Sequence, residues 1–348
     1  MPNKNILVIG AGPAGASAAF FLKSFDTKEE LDIDLVDMRV PSSFSKYHRM
    51  CGEAISSRAF EELAPIKPTN IIERIKFIEE FYPGDMSLKI ESEGYILNRS
   101  LFLHDVINKF EDAGGNFQIK KAQSLINAKN KVSVNFQDGE VKWYDYVIAA
   151  DGAGSVIRNS FGLRNGEIRR FIQYIVDEEP DHNTMKFFYD ESYNGDYKWI
   201  FPNGNTTKIG YPIVSDSLPV PPADFDILEK HARTVRFGLM KRHVFGRTLA
   251  VGDAACQINP LTKGGIRPAM NMGKIAAEAV FLGDLKIYET ACKESIFFSK
   301  VYYSAFDKLR KMSNRDLSEL VASYASNNLP KKYGDIPEAF KLSEEYGW

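Results

Sequence analysis

Residues 5–15 read NILVIGAGPAG, and this stretch decides the fold. Five residues from Asn5 to Ile9 make a short apolar run of the kind that fills a buried parallel strand. Gly10, Gly12 and Gly15, with Ala11, Pro13 and Ala14 between them, then match G-x-G-x-x-G directly after that strand. Downstream, Ala14, Ala18, Phe21, Leu22 and Phe25 recur at helical spacing. In such a turn the first glycine permits the bend, the second lets a pyrophosphate approach the backbone, and the third lets helix and strand pack closely. The helix N-terminus, opened by Pro13 and Ala14, meets the phosphate charge. A second strand, Leu31 to Asp37, ends in a carboxylate about twenty residues beyond the turn, where it can accept ribose hydroxyls and repel a 2′-phosphate. The order strand, glycine turn, helix, strand predicts a doubly wound α/β domain holding FAD or NAD.

Outward from this stretch the chain has the composition of a folded protein and not of a tail, fibre or low-complexity scaffold. Its 348 residues favour two domains, and 44% hydrophobic with 26% charged residues is globular composition. A net charge of −2 supplies no field for nucleic acid. Cys51, Cys256 and Cys292 suit neither a disulfide framework nor a metal site and point to a reducing, cytoplasmic setting. The uncharged run Asn5 to Leu22 is long enough for a membrane span but is interrupted by glycines and a proline, so no transmembrane segment is expected.

Between Pro41 and Ser57 no long periodic segment is found, and Ser57 to Leu63 reads as a short helix. Three β-rich pieces between Ile75 and Leu97 imply antiparallel pairing. Ser100 to Ala113 is an amphipathic helix closed by Gly114 and Gly115, and Gln118 to Ala150 holds several strands with a hairpin turn at Asp138-Gly139. Four more strands are expected from Ile168 to Val214, closed off by a link at Pro219 to Pro222. The first domain resumes at Arg247 to Gly252 and a helix from about Gly265 to Leu282, with mostly helix beyond Asp284. The expected architecture is α/β (α+β overall). A Rossmann-like FAD-binding domain would comprise 1–74, 99–164 and 240–283, an inserted antiparallel β-sheet substrate domain 75–98 and 165–239, and a helical C-terminal segment 284–348.

FAD is separated from NAD by two further carboxylates. Asp151-Gly152 and Gly252-Asp253 each follow a buried strand, at the sheet edge where ligands sit, and Asp253 can hold ribityl hydroxyls that NAD lacks. Tyr197, Trp199 and Phe201 alternate along a strand and share a face, as either the wall of an apolar cavity or ordinary core. Cys51 reads equally as an inert thiol or a residue beside substrate. The five histidines read as isolated core or surface residues. Basic runs at Lys241 to Arg247 and Lys308 to Arg315 read as solvated faces, with peripheral membrane contact as the alternative.

Together, the glycine turn, Arg99, Asp151-Gly152 and the stretch VGDAACQINPLTKGGIRPAMNMGKIAAEA (251–279) resemble the FAD-dependent family that includes p-hydroxybenzoate hydroxylase and the geranylgeranyl reductases. Arg49-Met50-Cys51-Gly52-Glu53 and Tyr197 to Pro202 are similar to signatures of the reductase branch. The resemblance covers roughly residues 1–283. It implies that Arg99, Arg49 and Gly52 lie at the cofactor, that Asp253 takes the ribityl chain, and that Lys263, Gly264, Gly265 and Ile266 lie at the flavin pyrimidine edge. Cys51, Tyr197, Trp199 and Phe201 would face the reaction. Where the family has three glycines, this chain has Lys263-Gly264-Gly265, so an ammonium would stand near the ring if it points inward, or in solvent if it does not. The chain is also short for the family, which argues against a long isoprenoid tunnel.

The expected function is a flavoprotein oxidoreductase of lipid biosynthesis. It would reduce carbon–carbon double bonds of an isoprenoid or other apolar small molecule with hydride from reduced FAD, supplied by NAD(P)H or a ferredoxin-like donor. The rivals are a class A flavin-dependent monooxygenase and an electron-transfer flavoprotein acting on a protein partner.

Overall fold

The structure, a computed structural model, describes residues 3–163, 166–214, 224–326 and 331–346. The chain opens with β1 (Lys4–Ile9), α1 (Pro13–Phe25), β2 (Leu31–Asp37), α2 (Pro41–His48), β3 (Ala54–Ser56) and α3 (Arg58–Glu62). A long hairpin, β4 (Ile71–Tyr82) and β5 (Met86–Leu97), leads to α4 (Arg99–Asp112) and β6 (Asn116–Ile119). Then come β7 (Ala122–Asn127), β8 (Val132–Phe136), β9 (Val141–Tyr144), β10 (Tyr146–Ala149) and α5 (Val156–Ser160). The next group is β11 (Glu167–Val176), β12 (Thr184–Phe188), β13 (Lys198–Asn203), β14 (Thr206–Pro212) and β15 (Ile227–Phe237). Last are β16 (Val244–Phe245), β17 (Thr248–Ala250), α6 (Ile266–Leu282), α7 (Lys286–Glu294), α8 (Lys300–Leu309), α9 (Asn314–Ala325) and α10 (Ile336–Tyr346).

Two sheets share the work. A six-stranded sheet in the order β16-β17-β10-β1-β2-β6 is parallel apart from β16. Its central strands are apolar because helices cover them; Ile6, Leu7 and Val8 are fully buried. Here α1 lies so close to α6 that a Cβ on Gly273 would stand 2.3 Å from the Ala14 carbonyl oxygen, and the Ser17 hydroxyl donates to the Met270 carbonyl at 2.7 Å. The second sheet has eight strands in the order β15-β11-β14-β13-β12-β4-β5-β3, antiparallel except between β12 and β4. A separate three-stranded sheet, β7-β8-β9, flanks the first. The fold is α/β with an antiparallel sheet and a helical C-terminus, as the residue patterns predict.

Several local expectations are corrected. The stretch after Pro41 forms α2, whose three serines and low apolar content hide it; Phe44 and His48, both 2% exposed, hold it in place. The three β-rich pieces before Asn98 are two long strands, because MSLKIES and GYIL run on as β5. The antiparallel unit does not close at the proline link, which lies outside the described residues: it gains β15, paired along β11. Helices α8 to α10 pack on one another through Tyr302, Leu309, Leu320 and Ile336 and reach the sheet, where Ser318 donates to the Pro83 carbonyl at 2.7 Å. No described helix is long and apolar enough to cross a membrane.

Candidate active site

A cavity of about 440 Å³ extends from the glycine turn to the inner face of the eight-stranded sheet. That is within the ordinary range for ligand sites.

At the turn, the three glycines do different things. Gly10 has φ +93°, and a Cβ there would meet the Ala150 carbonyl oxygen at 2.4 Å; a Cβ on Gly15 would sit 1.7 Å from the Gly10 carbonyl oxygen. Both are demanded by backbone packing, whereas Gly12 has φ −71° and its Cβ would meet only the His48 ring at 3.6 Å. Gly12 therefore opens onto the cavity, and among the described residues no side chain caps the N-terminus of α1 that follows it through Pro13 and Ala14. Asp37 is 3% exposed and fixed by two backbone donors, Ala11 N–H at 2.9 Å and Arg39 N–H at 2.8 Å. Its remaining lone pairs are available to hydroxyls.

Farther along, Asp151 lies two residues beyond β10 and accepts the Val156 N–H at 2.7 Å. Its other oxygen is buried without a partner among the described residues, and burial raises its pKa. Gly152 beside it has φ +81°. Asp253 follows Gly252 in a short turn and stands 3.6 Å from Arg233. Arg99, 2% exposed, donates from its guanidinium to the His48 carbonyl at 2.9 and 2.6 Å and from its backbone N–H to Glu53 at 3.0 Å. The same Glu53 carboxylate binds the Lys208 ammonium of β14 at 2.5 Å, with both side chains at most 3% exposed. This pair ties the Cys51-Gly52 loop to the eight-stranded sheet.

Above that loop, Phe201 lies over Gly52, where a Cβ would come within 2.6 Å of its ring. Trp199 lies over Gly210 in the same way, at 1.9 Å, and its indole N–H has no partner among the described residues. The Tyr197 hydroxyl donates to the Thr262 carbonyl at 2.5 Å, joining the aromatic strand to the loop before α6. Burial pushes that hydroxyl's pKa far up. Cys51, Gly52, Gly252, Gly264, Gly265 and Ile266 all line the cavity, and α6 starts at Ile266 with Gly265 as its uncapped N-terminus.

Two expectations about side-chain direction are corrected. The Lys263 ammonium points neither at the cofactor region nor into solvent: it pairs with Asp196 at 2.8 Å and lies 3.9 Å over the Phe306 ring, with 8% of the side chain exposed. Burial lowers its pKa and Asp196 pulls the other way. Lys263 has φ +53°, so its backbone shapes the loop while its charge is spent elsewhere. Arg49 turns away as well, pairing with Glu229 at 2.6 Å with 43% of its side chain exposed.

Three groups on the wall were not expected from the sequence. His48 lines the cavity beside Gly12 with both ring nitrogens unpartnered among the described residues, and burial, then Arg99, Arg233 and Arg39, hold its pKa well below the usual value. Glu80, from β4, accepts hydrogen bonds from the hydroxyls of Tyr82 at 2.8 Å and Tyr189 at 3.2 Å. Tyr324, Phe340 and Glu344 of α9 and α10 also reach the wall. Tertiary packing alone brings the C-terminal helices there.

No family model matches the chain. Digeranylgeranylglycerophospholipid reductase 1 of Methanopyrus kandleri is 29% identical over 92% of this chain and 94% of its own length. Among solved structures, a geranylgeranyl bacteriochlorophyll reductase-like protein from Thermoplasma acidophilum superposes with a TM-score of 0.82 at 22% identity, covering 100% of both chains. The p-nitrophenol 4-monooxygenase of Pseudomonas putida follows the same fold at a TM-score of 0.72 and 14% identity, over 99% of this chain and 98% of its own. Both solved structures share the fold, and the Methanopyrus reductase is similar in sequence as well. Along nearly its whole length the chain is similar in sequence to that digeranylgeranylglycerophospholipid reductase and in fold to the geranylgeranyl bacteriochlorophyll reductase-like protein.

Proposed function

We propose that this protein is an FAD-dependent oxidoreductase that saturates carbon–carbon double bonds of an isoprenoid or other apolar, lipid-like substrate. The observation that carries the reading is one continuous cavity joining an open glycine turn to an aromatic sheet face. Similarity to reductases named for isoprenoid lipids favours reduction over oxygenation and over electron transfer to a protein.

The residues fit FAD. Gly12 is the turn position with open space, so a pyrophosphate can approach it and the N-terminus of α1. Asp37 would hold the adenosine ribose, Asp253 the ribityl chain, and Gly264, Gly265 and the N-terminus of α6 the pyrimidine edge, where a helix end stabilises negative charge by roughly 0.3 to 2 kcal/mol. Arg99 would act beside the cofactor while it holds the His48 carbonyl. When bound, FAD supplies hydride chemistry. The chain's own residues do the remainder: Trp199, Phe201 and Phe187 exclude water and orient the alkene, Tyr197 fixes the Thr262 loop, and the Cys51 sulfur holds a proton at the wall.

The same reading divides the chain into a cofactor domain (1–74, 99–164, 240–283), a substrate sheet (75–98, 165–239) and a C-terminal segment (284–348). It places the protein in a reducing compartment, the cytoplasm, with NAD(P)H or a ferredoxin-like protein as electron donor. The test is to identify the released flavin and then to add prenyl lipids, quinones or aromatic acids to the reduced protein without oxygen. Reoxidation by prenyl lipids is expected; reoxidation by the other classes alone would overturn the reading.

A further inference from the structure

Arg233 comes from β15 at the edge of the eight-stranded sheet, yet its guanidinium meets groups from the other side of the cavity. Its Nη2 stands 3.6 Å from Asp253, and its Cζ lies 5.1 Å from the centre of the Tyr47 ring on α2. Arg39 approaches the same ring at 3.7 Å, and the Tyr47 hydroxyl is 3.8 Å from where a Cβ on Gly152 would lie. Burial lowers the His48 pKa most, and the charges of Arg99, Arg233 and Arg39 lower it further, so Arg233 is a neighbour of that ring as well. The His48 ring in turn stands 3.6 Å from the place of a Cβ on Gly12. Three nitrogens here are buried without a hydrogen-bond partner among the described residues: Arg233 Nη1 and both ring nitrogens of His48, a residue 2% exposed. Leaving a buried donor unpaired is costly, most of all on a charged group, and side-chain packing gives no reason for it. Carboxylates line this part of the cavity too, but each has its own partners: Asp37 has the N–H groups of Ala11 and Arg39, Glu53 the Lys208 ammonium, and Asp151 the Val156 N–H. Asp253 faces one edge of Arg233 and leaves Nη1 over.

We propose that Arg233 binds the diphosphate of the dinucleotide from the side of the eight-stranded sheet, through Nη1, with the His48 ring as a second donor. The inference rests on the cofactor reading above and adds to it a residue of β15. The diphosphate is the anionic part of FAD, and the free N–H groups at the N-terminus of α1, a helix of 13 residues, meet it from one side. A guanidinium meets it from the other with a charge-assisted hydrogen bond, the strongest kind available to a side chain at this position. His48, held neutral, carries one ring N–H and so gives one hydrogen bond without adding charge. Asp253 holds the second edge of the guanidinium and keeps the arginine extended across the cavity. The turn follows β1 of the six-stranded sheet and Arg233 comes from the eight-stranded one, so the bound cofactor ties the two sheets together at this point.

The experiment is phosphorus NMR of the protein as purified, with its bound dinucleotide, beside FAD retention followed by flavin fluorescence on dilution and on competition with ADP-ribose. Arg233→Met should weaken FAD at least about tenfold, and His48→Phe several-fold, with circular dichroism as the control for folding. Arg233→Lys, which keeps the charge and loses the planar fork, should recover part of that affinity and still move the diphosphate resonances. ADP-ribose has the diphosphate but neither flavin nor ribityl chain, so it separates a direct contact from an effect that runs through Asp253. Its affinity should fall in Arg233→Met by about the same factor as that of FAD. ADP-ribose affinity unchanged in Arg233→Met, or resonances unmoved in Arg233→Lys, would overturn the assignment even in a protein that reduces alkenes. A bound NAD in place of FAD, with resonances that move in Arg233→Lys, would support the assignment and sink the flavin reading instead.

Discussion

At the glycine turn the cavity wall is backbone: Gly10, Gly12 and Gly15, an uncapped helix end, and a carboxylate pinned by two N–H groups. At the sheet it is side chain: Phe187, Trp199, Phe201 and Glu80, drawn from three strands and capped by helices from the far end of the sequence. A backbone site tolerates no Cβ at a few positions and is indifferent to most other changes. A side-chain site is tuned by single substitutions while the fold survives. The Glu53–Lys208 pair lies between them and holds one to the other.

Among side-chain changes, breaking that clamp should have the largest effect. Lys208→Met leaves the Glu53 carboxylate buried and unpaired, for which about 3–5 kcal/mol of stability should be lost in denaturant unfolding, with most of it regained when Glu53→Gln is added. An unchanged midpoint would mean that the two ends do not depend on this pair. At the backbone end, Gly12→Val should lower flavin content at least about tenfold, equivalent to 1.4 kcal/mol, while the thermal midpoint barely moves, because the new side chain points into the cavity. Gly15→Val should instead fail to fold. If Gly12→Val retains its flavin, the nucleotide lies elsewhere.

At the side-chain end, Trp199→Ala should reduce substrate-dependent kcat/KM about tenfold and leave flavin content near wild type, since Trp199 touches Gly210 and Phe171 on the sheet. Loss of flavin with loss of activity would make Trp199 core. The smallest effect is expected at Lys263. Because its charge is taken by Asp196, Lys263→Met should leave the two-electron flavin potential within about 10 mV of wild type, about a third of the 30 mV that corresponds to 1.4 kcal/mol, while lowering stability. A fall of several tens of millivolts would show that the ammonium reaches the ring after all.

The same contrast governs what a reader of the sequence can see. The glycine turn, Asp37 and the strand-end carboxylates follow from local spacing, since each is fixed by the residues beside it. Glu80 is hidden because it sits in IKFIEEFY (75–82), where adjacent glutamates read as a solvent face. A bulge between Ile75 and Phe77 shifts the alternation and brings Ile78, Glu80 and Tyr82 inward together. Strand β15 is hidden by its charged alternation on a sheet edge. Lys263 is readable as a departure in a glycine loop, yet its direction is set by Asp196 and Phe306, residues that only the folded chain brings near. His48 gives no local signal, because its burial comes from packing between Phe44, Arg99 and the turn.

The central claim is that the backbone end holds a reduced flavin against an alkene on the aromatic face. The most direct test is a single turnover without oxygen: flavin-loaded protein reduced by one equivalent of dithionite, mixed with a prenyl substrate, with flavin absorbance and product mass followed together. The account predicts one substrate molecule gaining two hydrogens for each flavin reoxidised. Reoxidation only after oxygen is admitted, with product that has gained an oxygen atom, would contradict it.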